Sequence, residues 1–404
     1  MSLLEDYIKD LNYIETARRE KKFTRIRSID FVKGFAICLI ILAHASEQWI
    51  VEEFLFAYGL IYCCLDVFGP SLFIFLSALS VVFSLRKKMG YIPEKTIRNN
   101  IFFRGIVIIL LGILFNFGSR QDLPFPMNLW GWNILVFIGF SQILCYYVLK
   151  FARGTRVIIG LAIIFFTESI RDALYFWKDK NNIIWIIHYI IISPSPHLTF
   201  IPYLSLCFFS TIFGEMFFET MLLETKEAYL ATFKTFIQYG FLLTFVGIML
   251  GLDIMNPENT DPNEYFFVSL VYFIRNQNYF DYPGMYKFQV RGTPANMFYS
   301  LGMALIILGI SFYYVDIKQK ENNFINTFIF YGRVSLSLFL ISYIGLFLYY
   351  RFLTIFTFLL VAITYIAFLG ILMYIWNKYF NGKYSFEWLM INLTGKSKKK
   401  KINP

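Results

Sequence analysis

Residues 25–51 read RIRSIDFVKGFAICLIILAHASEQWIV, an apolar run of membrane length that follows a basic flank and carries Asp30, Lys33 and His44. A charged group at the centre of a bilayer helix costs about 2.5 to 3.5 kcal/mol, so such residues are retained where they have a partner or a function. This stretch therefore predicts a membrane-spanning helix and places a candidate functional site on it.

The rest of the 404 residues have the same character, because 57% are hydrophobic and only 16% are charged, whereas a soluble domain has about a quarter charged residues. Runs of about 20 apolar residues, enough to cross a hydrocarbon core of about 30 Å, recur along the chain. The sequence predicts an all-α, polytopic bundle of about ten transmembrane helices. The predicted spans are 31–51, 57–84, 101–117, 129–149, 156–173, 199–218, 235–252, 294–315, 325–350 and 352–376.

Most of the 37 Lys and Arg residues fall in alternate connections on the side of the N-terminus. The positive-inside rule then places both termini in the cytoplasm. Topology accounts for the net charge of +10, so we expect no nucleic-acid partner. The predicted domains are a basic cytoplasmic segment (1–30), a membrane domain (31–376) and a basic cytoplasmic tail (377–404). Two shorter apolar pieces, 183–192 and 264–274, are predicted to be re-entrant or interfacial helices on the outer side.

The first helix separates a cation from an imidazole along one face. Lys33 and His44 are eleven residues apart, so both side chains project from the same face of the helix. Their separation along the helix axis is about 16 Å. Glu47 follows His44 by three residues and is within i,i+3 reach, and Asp30 lies at the Lys33 end. This arrangement suits an anionic donor that docks at the cytoplasmic end while its reactive end reaches a buried base. The alternative is that His44 only bonds a neighbouring helix and Lys33 extends to lipid headgroups.

Two further basic residues, Arg104 and Arg333, stand at predicted cytoplasmic helix ends. With Lys33 they predict a three-cation mouth for phosphate groups, and the alternative is topological anchoring. No cysteine or histidine spacing typical of a metal site occurs, so no metal is expected. Other polar residues within the apolar runs are further site candidates: Asp66, Asn116, Asn133, Gln142, Glu215 and Ser342.

The string SIDFVKGFAICLIILAHAS (28–46) resembles the first helix of the transmembrane acyltransferase superfamily, where an aspartate, a basic residue three positions on and a later histidine recur. That superfamily includes the heparan-α-glucosaminide N-acetyltransferase-like and YeiB-like proteins and bacterial O-acyltransferases of cell-surface glycans. The resemblance continues in order through FGPSLFIFLSALSVVFSLRKK (68–88), RGIVIILLGILFNF (104–117), NILVFIGFSQIL (133–144), TPANMFYSLGMALIILG (293–309), GRVSLSLFLISY (332–343) and SFEWLMINLTG (385–395).

This resemblance implies transfer of an acyl group, most simply acetyl from acetyl-CoA, to a hydroxyl or amine of an extracytoplasmic sugar or lipid-linked glycan. It implies that His44 acts as general base or transient acyl acceptor, that Glu47 orients it, and that Asp30 belongs to the same catalytic set.

The resemblance also implies that Lys33, Arg104 and Arg333 hold the CoA phosphates, although the family residue at position 33 is commonly arginine. The loop histidine of the lysosomal enzymes has no counterpart, because no histidine occurs between His44 and His188.

The expected surroundings are those of an integral protein of the plasma membrane. Its expected partners are membrane lipids and a glycan or lipid-linked sugar acceptor, with a second copy of the chain as a candidate partner. Two other hypotheses remain: a transporter or flippase that uses the same central cavity without acyl chemistry, and a non-enzymatic scaffold or regulatory subunit.

Overall fold

The computed structural model describes residues 26–65, 68–89, 92–119, 123–192, 200–260, 265–275 and 283–399. Three parts of the sequence predictions lie outside the described residues. These are the N-terminal segment up to residue 25, the candidate Asp66, and the last residues of the basic tail.

The architecture is all-α, as the sequence predicts, apart from a two-residue antiparallel ladder between β1 (Ile254–Met255) and β2 (Met285–Tyr286). Within the described ranges the α-helices are α1 (Arg27–Trp49), α2 (Leu55–Leu65), α3 (Pro70–Lys88), α4 (Glu94–Ser119), α5 (Ile134–Val148), α6 (Arg153–Trp177), α7 (Asn182–Ile191), α8 (Phe200–Leu223), α9 (Lys226–Leu250), α10 (Phe266–Arg275), α11 (Pro294–Phe312), α12 (Asn323–Arg333), α13 (Ser335–Gly345), α14 (Ile355–Phe380) and α15 (Phe386–Lys399).

Several helices begin at a side chain that caps the free backbone N–H groups of the first turn. The Asn133 side chain accepts from the backbone N–H of Val136 at 2.8 Å and starts α5. Thr293 does the same for α11, with Pro294 at the first helical position, where the absent N–H of proline costs nothing. The starts of these helices are therefore set by local sequence.

Seven helical segments in the described part of the chain are long and apolar enough to cross a membrane, or eight if α12 and α13 are taken as one span bent by 84°. The predicted count of ten is not confirmed. α5, with 15 residues, extends only about 22 Å, which is short of the hydrocarbon core. α6 is 25 residues long but carries Arg156, Glu168, Arg171 and Asp172 along its length. The predicted short pieces are the ten-residue helices α7 and α10.

Several of the long helices expose most of their apolar surface. In α4, α9 and α14 only 28%, 17% and 22% of the most apolar stretch is buried inside the protein. On α9, for example, Phe241, Leu242 and Phe245 are more than half exposed. Continuous apolar faces of this size are unfavourable in water, whereas lipid chains cover them at no cost. The chain is therefore an integral membrane protein.

α1 is the centre of the bundle, because it packs against α2, α3, α11, α12, α13 and α14. Its contact with α12 is a close backbone crossing. An added Cβ at Gly34 would lie 1.8 Å from the Phe328 carbonyl oxygen, and one at Gly332 would lie 1.8 Å from the Asp30 carbonyl oxygen. Only glycine fits at both positions, as is common where helices meet inside membranes.

We expect Gly34→Ala to force α1 and α12 apart, since its methyl group would overlap a backbone oxygen. Overpacking of this kind costs about 1 to 3 kcal/mol. The melting temperature of the purified protein in detergent should therefore fall. Gly154→Ala is the control, because among the described residues nothing lies within 4 Å of the added methyl group. Equal melting temperatures for both variants would contradict the close crossing.

Candidate active site

His44 lies near the end of α1 and belongs to a hydrogen-bonded group of three side chains. The Tyr62 hydroxyl on α2 lies 3.1 Å from His44 Nδ1 and donates to Glu47 Oε2 at 2.9 Å. His44 Nδ1 and Glu47 Oε2 are 3.6 Å apart, so the predicted i,i+3 proximity is present. The His44 and Glu47 side chains are 31% and 32% exposed, which leaves the imidazole accessible to a reactant.

Aromatic rings from other helices enclose this group. The Tyr343 ring on α13 lies 5.2 Å from the His44 ring, and the Phe115 ring on α4 lies 4.4 Å from that of Tyr343. α10 covers α2, since a Cβ added at Gly59 would lie 3.2 Å from the Leu270 carbonyl oxygen. His44 thus lies where α1, α2, α4 and α13 meet, and α10, one of the short helices predicted from the sequence, packs on α2 beside it.

A second polar centre lies toward the other end of α1. A cavity of about 250 Å³ is lined there by three basic residues, Lys33, Lys88 and Arg104. Lys33 Nζ donates to Ser80 Oγ on α3 at 2.9 Å, so its ammonium group points toward α3. The remaining lining includes the uncharged polar residues Ser77, Ser80, Ser84, Asn100 and Gln142. Cations with hydroxyl and amide groups around an open volume are suited to bind phosphate oxygens.

The two centres are related by the spacing along two helices. Lys33 and His44 are eleven residues apart on α1, and Arg104 and Phe115 are eleven residues apart on α4. Each interval corresponds to an axial rise of about 16 Å. Lys33 and Arg104 line the cation cavity. At the other end, His44 contacts Tyr343, which in turn contacts Phe115. Both helices therefore extend from one centre to the other.

The structure does not gather every predicted site residue. Among the described residues that line the cavity, Lys88 is present and Arg333 is not. Arg333 Nε lies 3.7 Å from Asp30 Oδ2, and the Asp30 carboxylate is buried. Asp30 precedes His44 by fourteen residues, about 21 Å along α1, so it does not belong to the hydrogen-bonded group of His44, Tyr62 and Glu47. Asp30 and Arg333 instead pair where α1 crosses α12.

Two contributors were missed by sequence reasoning. The positive-inside rule by itself accounts for Lys88, but Ser77, Ser84 and Lys88 share one face of α3 and give that face a polar stripe. This periodicity is the signal that identifies the face. Tyr62 is one of 28 tyrosines and has no distinguishing local pattern, because its contact with His44 depends on how α2 packs against α1.

Carboxylates from distant parts of the chain cap two helices that carry site residues. Asp316 accepts the backbone N–H groups of Arg27 and Ser28 at 2.9 and 3.0 Å, at the start of α1. Glu387 on α15 accepts the backbone N–H of Ser337 at 2.9 Å, beside the 84° break between α12 and α13. Such carboxylates complement the positive end of the helix dipole.

The predicted cytoplasmic tail includes α15, and this helix packs on the bundle. α15 contacts α4 and α13. Its Ile391 is one of the residues that line the cation cavity. The phrase SFEWLMINLTG thus contributes both the Glu387 cap and part of the cavity wall.

Three of the other polar candidates, Asn116, Asn133 and Ser342, form hydrogen bonds between or within helices. Asn133 Nδ2 donates to Asn116 Oδ1 at 2.8 Å and to the Gly112 carbonyl at 2.7 Å, which joins α4 to α5. Ser342 Oγ donates to the Phe339 carbonyl one turn earlier at 2.7 Å. Gln142, in contrast, lines the cavity.

Glu215 on α8 is the centre of a buried ionic network. It accepts from Arg86 of α3 and from two arginines of α6, Arg153 Nε at 3.2 Å and Arg156 Nη2 at 2.5 Å. Glu215 and Arg156 are only 4% and 2% exposed. This network joins α3, α6 and α8 and therefore has a structural role.

The protein is thus an integral membrane protein with a polar site among its apolar helices. The site has an accessible imidazole toward one end of α1 and a cation-lined cavity toward the other. The family model described as heparan-alpha-glucosaminide N-acetyltransferase, catalytic, matches residues 25–240, more than half of the chain. The chain belongs to this family and is therefore a membrane acyltransferase by family, as the resemblance predicted. No curated protein matches it significantly. The matched residues include His44, Glu47, Tyr62 and the three cations of the cavity.

We expect Glu215→Gln to destabilise the protein, because it keeps the shape of the side chain but leaves the buried Arg156 guanidinium without a carboxylate. Breaking a buried ion pair from one side costs about 3 to 5 kcal/mol. The melting temperature in detergent should fall markedly. Glu219→Gln, which removes a half-exposed partner of Arg153 one turn further on, should change stability by about 1 kcal/mol or less. A Glu215→Gln protein as stable as the control would show that the network is dispensable.

Proposed function

We propose that this protein transfers an acetyl group from cytoplasmic acetyl-CoA to a hydroxyl or amine of an extracytoplasmic sugar or lipid-linked glycan. The observation that carries the proposal is the pair of polar centres on α1, a three-cation cavity around Lys33 and an accessible imidazole at His44. The family to which the chain belongs supports this assignment, because it is named for an N-acetyltransferase of heparan α-glucosaminide.

The donor end of the proposed site is the cation cavity. CoA carries phosphates at one end of a long, flexible chain and the thioester at the other, so it suits two centres separated by about 16 Å. Lys33, Lys88 and Arg104 would bind phosphate oxygens, with the Arg104 guanidinium able to form two parallel hydrogen bonds. Arg333 would act indirectly, by pairing with Asp30 where α12 packs on α1.

The proposed chemistry requires one base at the thioester. His44 Nε2 takes the proton from the acceptor O–H or N–H as that oxygen or nitrogen attacks the acetyl carbonyl carbon. The carbon–sulfur bond then breaks, and the CoA thiolate leaves with the electron pair and receives the proton from the imidazolium. The products are the acetylated acceptor and CoA with a free thiol, and His44 returns to its neutral form.

The distribution of basic residues supports the proposed direction of transfer. α3 ends with Arg86, Lys87 and Lys88, and α6 begins with Arg153. The salt bridges from Arg86 and Arg153 to Glu215 place these two helix ends together. The positive-inside rule favours the cytoplasm for this end, and hence for the cavity. His44 then faces the opposite side, where a plasma-membrane enzyme would meet a cell-surface glycan or its lipid-linked precursor.

The test is transfer of radiolabelled acetyl from acetyl-CoA to a panel of sugar acceptors by the purified protein. We expect His44→Gln to lower kcat by about 100-fold or more with donor binding retained, since a positioned base contributes about 10² to 10⁴ in rate. Full turnover by His44→Gln would exclude the proposed base.

The cavity predicts a different kinetic effect. Lys33→Met and Arg104→Gln should each raise the KM for acetyl-CoA by about tenfold, which corresponds to about 1.4 kcal/mol, and leave the KM for the acceptor unchanged. Lys95→Met is the matched control, since Lys95 is an exposed cation on α4 that is not among the residues lining the cavity. An equal increase in KM for Lys95→Met would indicate a diffuse charge effect instead of a site.

Sealed proteoliposomes test the direction. Product should form only when acetyl-CoA is supplied on the side of the N-terminus and the acceptor on the other side. Uptake of labelled sugar without an acetyl donor would support the transporter hypothesis instead.

A further inference from the structure

The Tyr62 hydroxyl is the immediate polar neighbour of His44. Its oxygen lies 3.1 Å from His44 Nδ1 and 2.9 Å from Glu47 Oε2, both of which are hydrogen-bond distances. The direct separation of His44 Nδ1 and Glu47 Oε2 is 3.6 Å, which is too long for a hydrogen bond. The imidazole and the carboxylate are thus joined through the phenol.

The chemistry of these three groups determines where the protons lie. An ionised carboxylate can only accept a hydrogen bond, so Glu47 takes the single proton that the Tyr62 hydroxyl can donate. The hydroxyl then has only lone pairs to offer His44. Nδ1 of His44 must therefore be the donor and carry the ring proton, which leaves Nε2 with the lone pair needed by a general base.

Packing fixes the hydroxyl in place independently of His44. Tyr62 is 9% exposed, and its ring lies 4.8 Å from the Tyr58 ring and 6.4 Å from the Phe267 ring on α10. α10 in turn packs closely on α2 at Gly59, where an added Cβ would lie 3.0 Å from the Ile274 side chain and 3.2 Å from the Leu270 carbonyl oxygen. The packing of α2 against α10 thus helps to hold the hydroxyl in this position.

We propose that Tyr62 is a positioning residue that selects the Nδ1–H tautomer of His44 and so makes Nε2 the reactive nitrogen. This role of Tyr62 would assist the acetyltransferase function proposed above. Only its expected effect on kcat rests on that function, whereas its effect on the tautomer does not. Glu47 acts through Tyr62, by holding the hydroxyl proton away from His44. A histidine without such a partner in water favours the opposite tautomer, with the proton on Nε2, in which Nε2 cannot act as a base.

Nitrogen NMR of histidine-labelled protein in detergent measures the tautomer directly. The chain contains three histidines, so the difference spectrum between the wild type and His44→Gln assigns the His44 signals. In the wild type near pH 8 we expect the Nδ1–H form to predominate. In Tyr62→Phe, which keeps the ring and its packing but removes the hydroxyl, the population should shift toward the Nε2–H form.

The kinetic expectation is a loss in kcat without a loss in binding. Tyr62→Phe should lower kcat by about 10- to 100-fold, within the range attributed to a correctly placed proton-transfer group, and change each KM by less than about twofold. Tyr58→Phe is the matched control, since it removes a buried hydroxyl from the same face of α2, one turn away, in the same aromatic cluster. It should retain wild-type kcat and the wild-type His44 tautomer.

Two outcomes would overturn the inference. One is a wild-type protein whose His44 is predominantly Nε2–H, and the other is a Tyr62→Phe protein with an unchanged His44 tautomer. If the protein lacks acetyl transfer altogether, the proposed function fails, but the NMR comparison still decides the role of Tyr62 because it needs no substrate. Equal kcat losses in Tyr62→Phe and Tyr58→Phe would identify a packing effect and also reject the proposal.

Discussion

The structure depends on burying a helix with ionisable side chains inside an apolar bundle. α1 is surrounded by six other helices, and a polar group that is desolvated without a partner is costly. Each ionisable residue of α1 that the sequence predicts as a site residue contacts a side chain from another helix: Asp30 contacts Arg333, Lys33 contacts Ser80, and His44 and Glu47 contact Tyr62. The contacts that give the ionisable side chains of α1 their partners therefore also determine which helices pack around α1, and they position the site.

Close approach of backbones makes these contacts reachable. At the α1–α12 crossing, glycines at 34 and 332 bring the two helix axes near enough for Arg333 to reach Asp30. α12 then ends and α13 departs at 84°, and the backbone N–H of Ser337 that this break leaves without a helical partner is satisfied by Glu387. The same helix, α15, also contributes Ile391 to the wall of the cation cavity.

How much of this the sequence predicts differs between the two ends of the site. Helical periodicity alone places Lys33 and His44 on one face of α1, and Glu47 within reach of His44. The polar stripe of α3 is periodic as well, so Lys88 was detectable in principle. Tyr62 was not, because the bond that it forms depends on the packing of α2 between α1 and α10. The count of ten spans is not confirmed for a related reason. Hydropathy detects apolar runs, whereas a span also needs an unbroken helix of sufficient length, which α5 lacks.

The sequence by itself determined the all-α membrane class, the family, the approximate positions of the long helices and the spacing of the candidate base from the first cation. These properties are local, since they follow from runs of apolar residues and from the 3.6-residue period of one helix. The tertiary structure decided that Lys88 joins Lys33 and Arg104, that Arg333 pairs with Asp30, and that Tyr62 stands between His44 and Glu47. Each of these contacts joins residues on different helices, and their distances are set by helix crossings that involve side chains far apart in the chain.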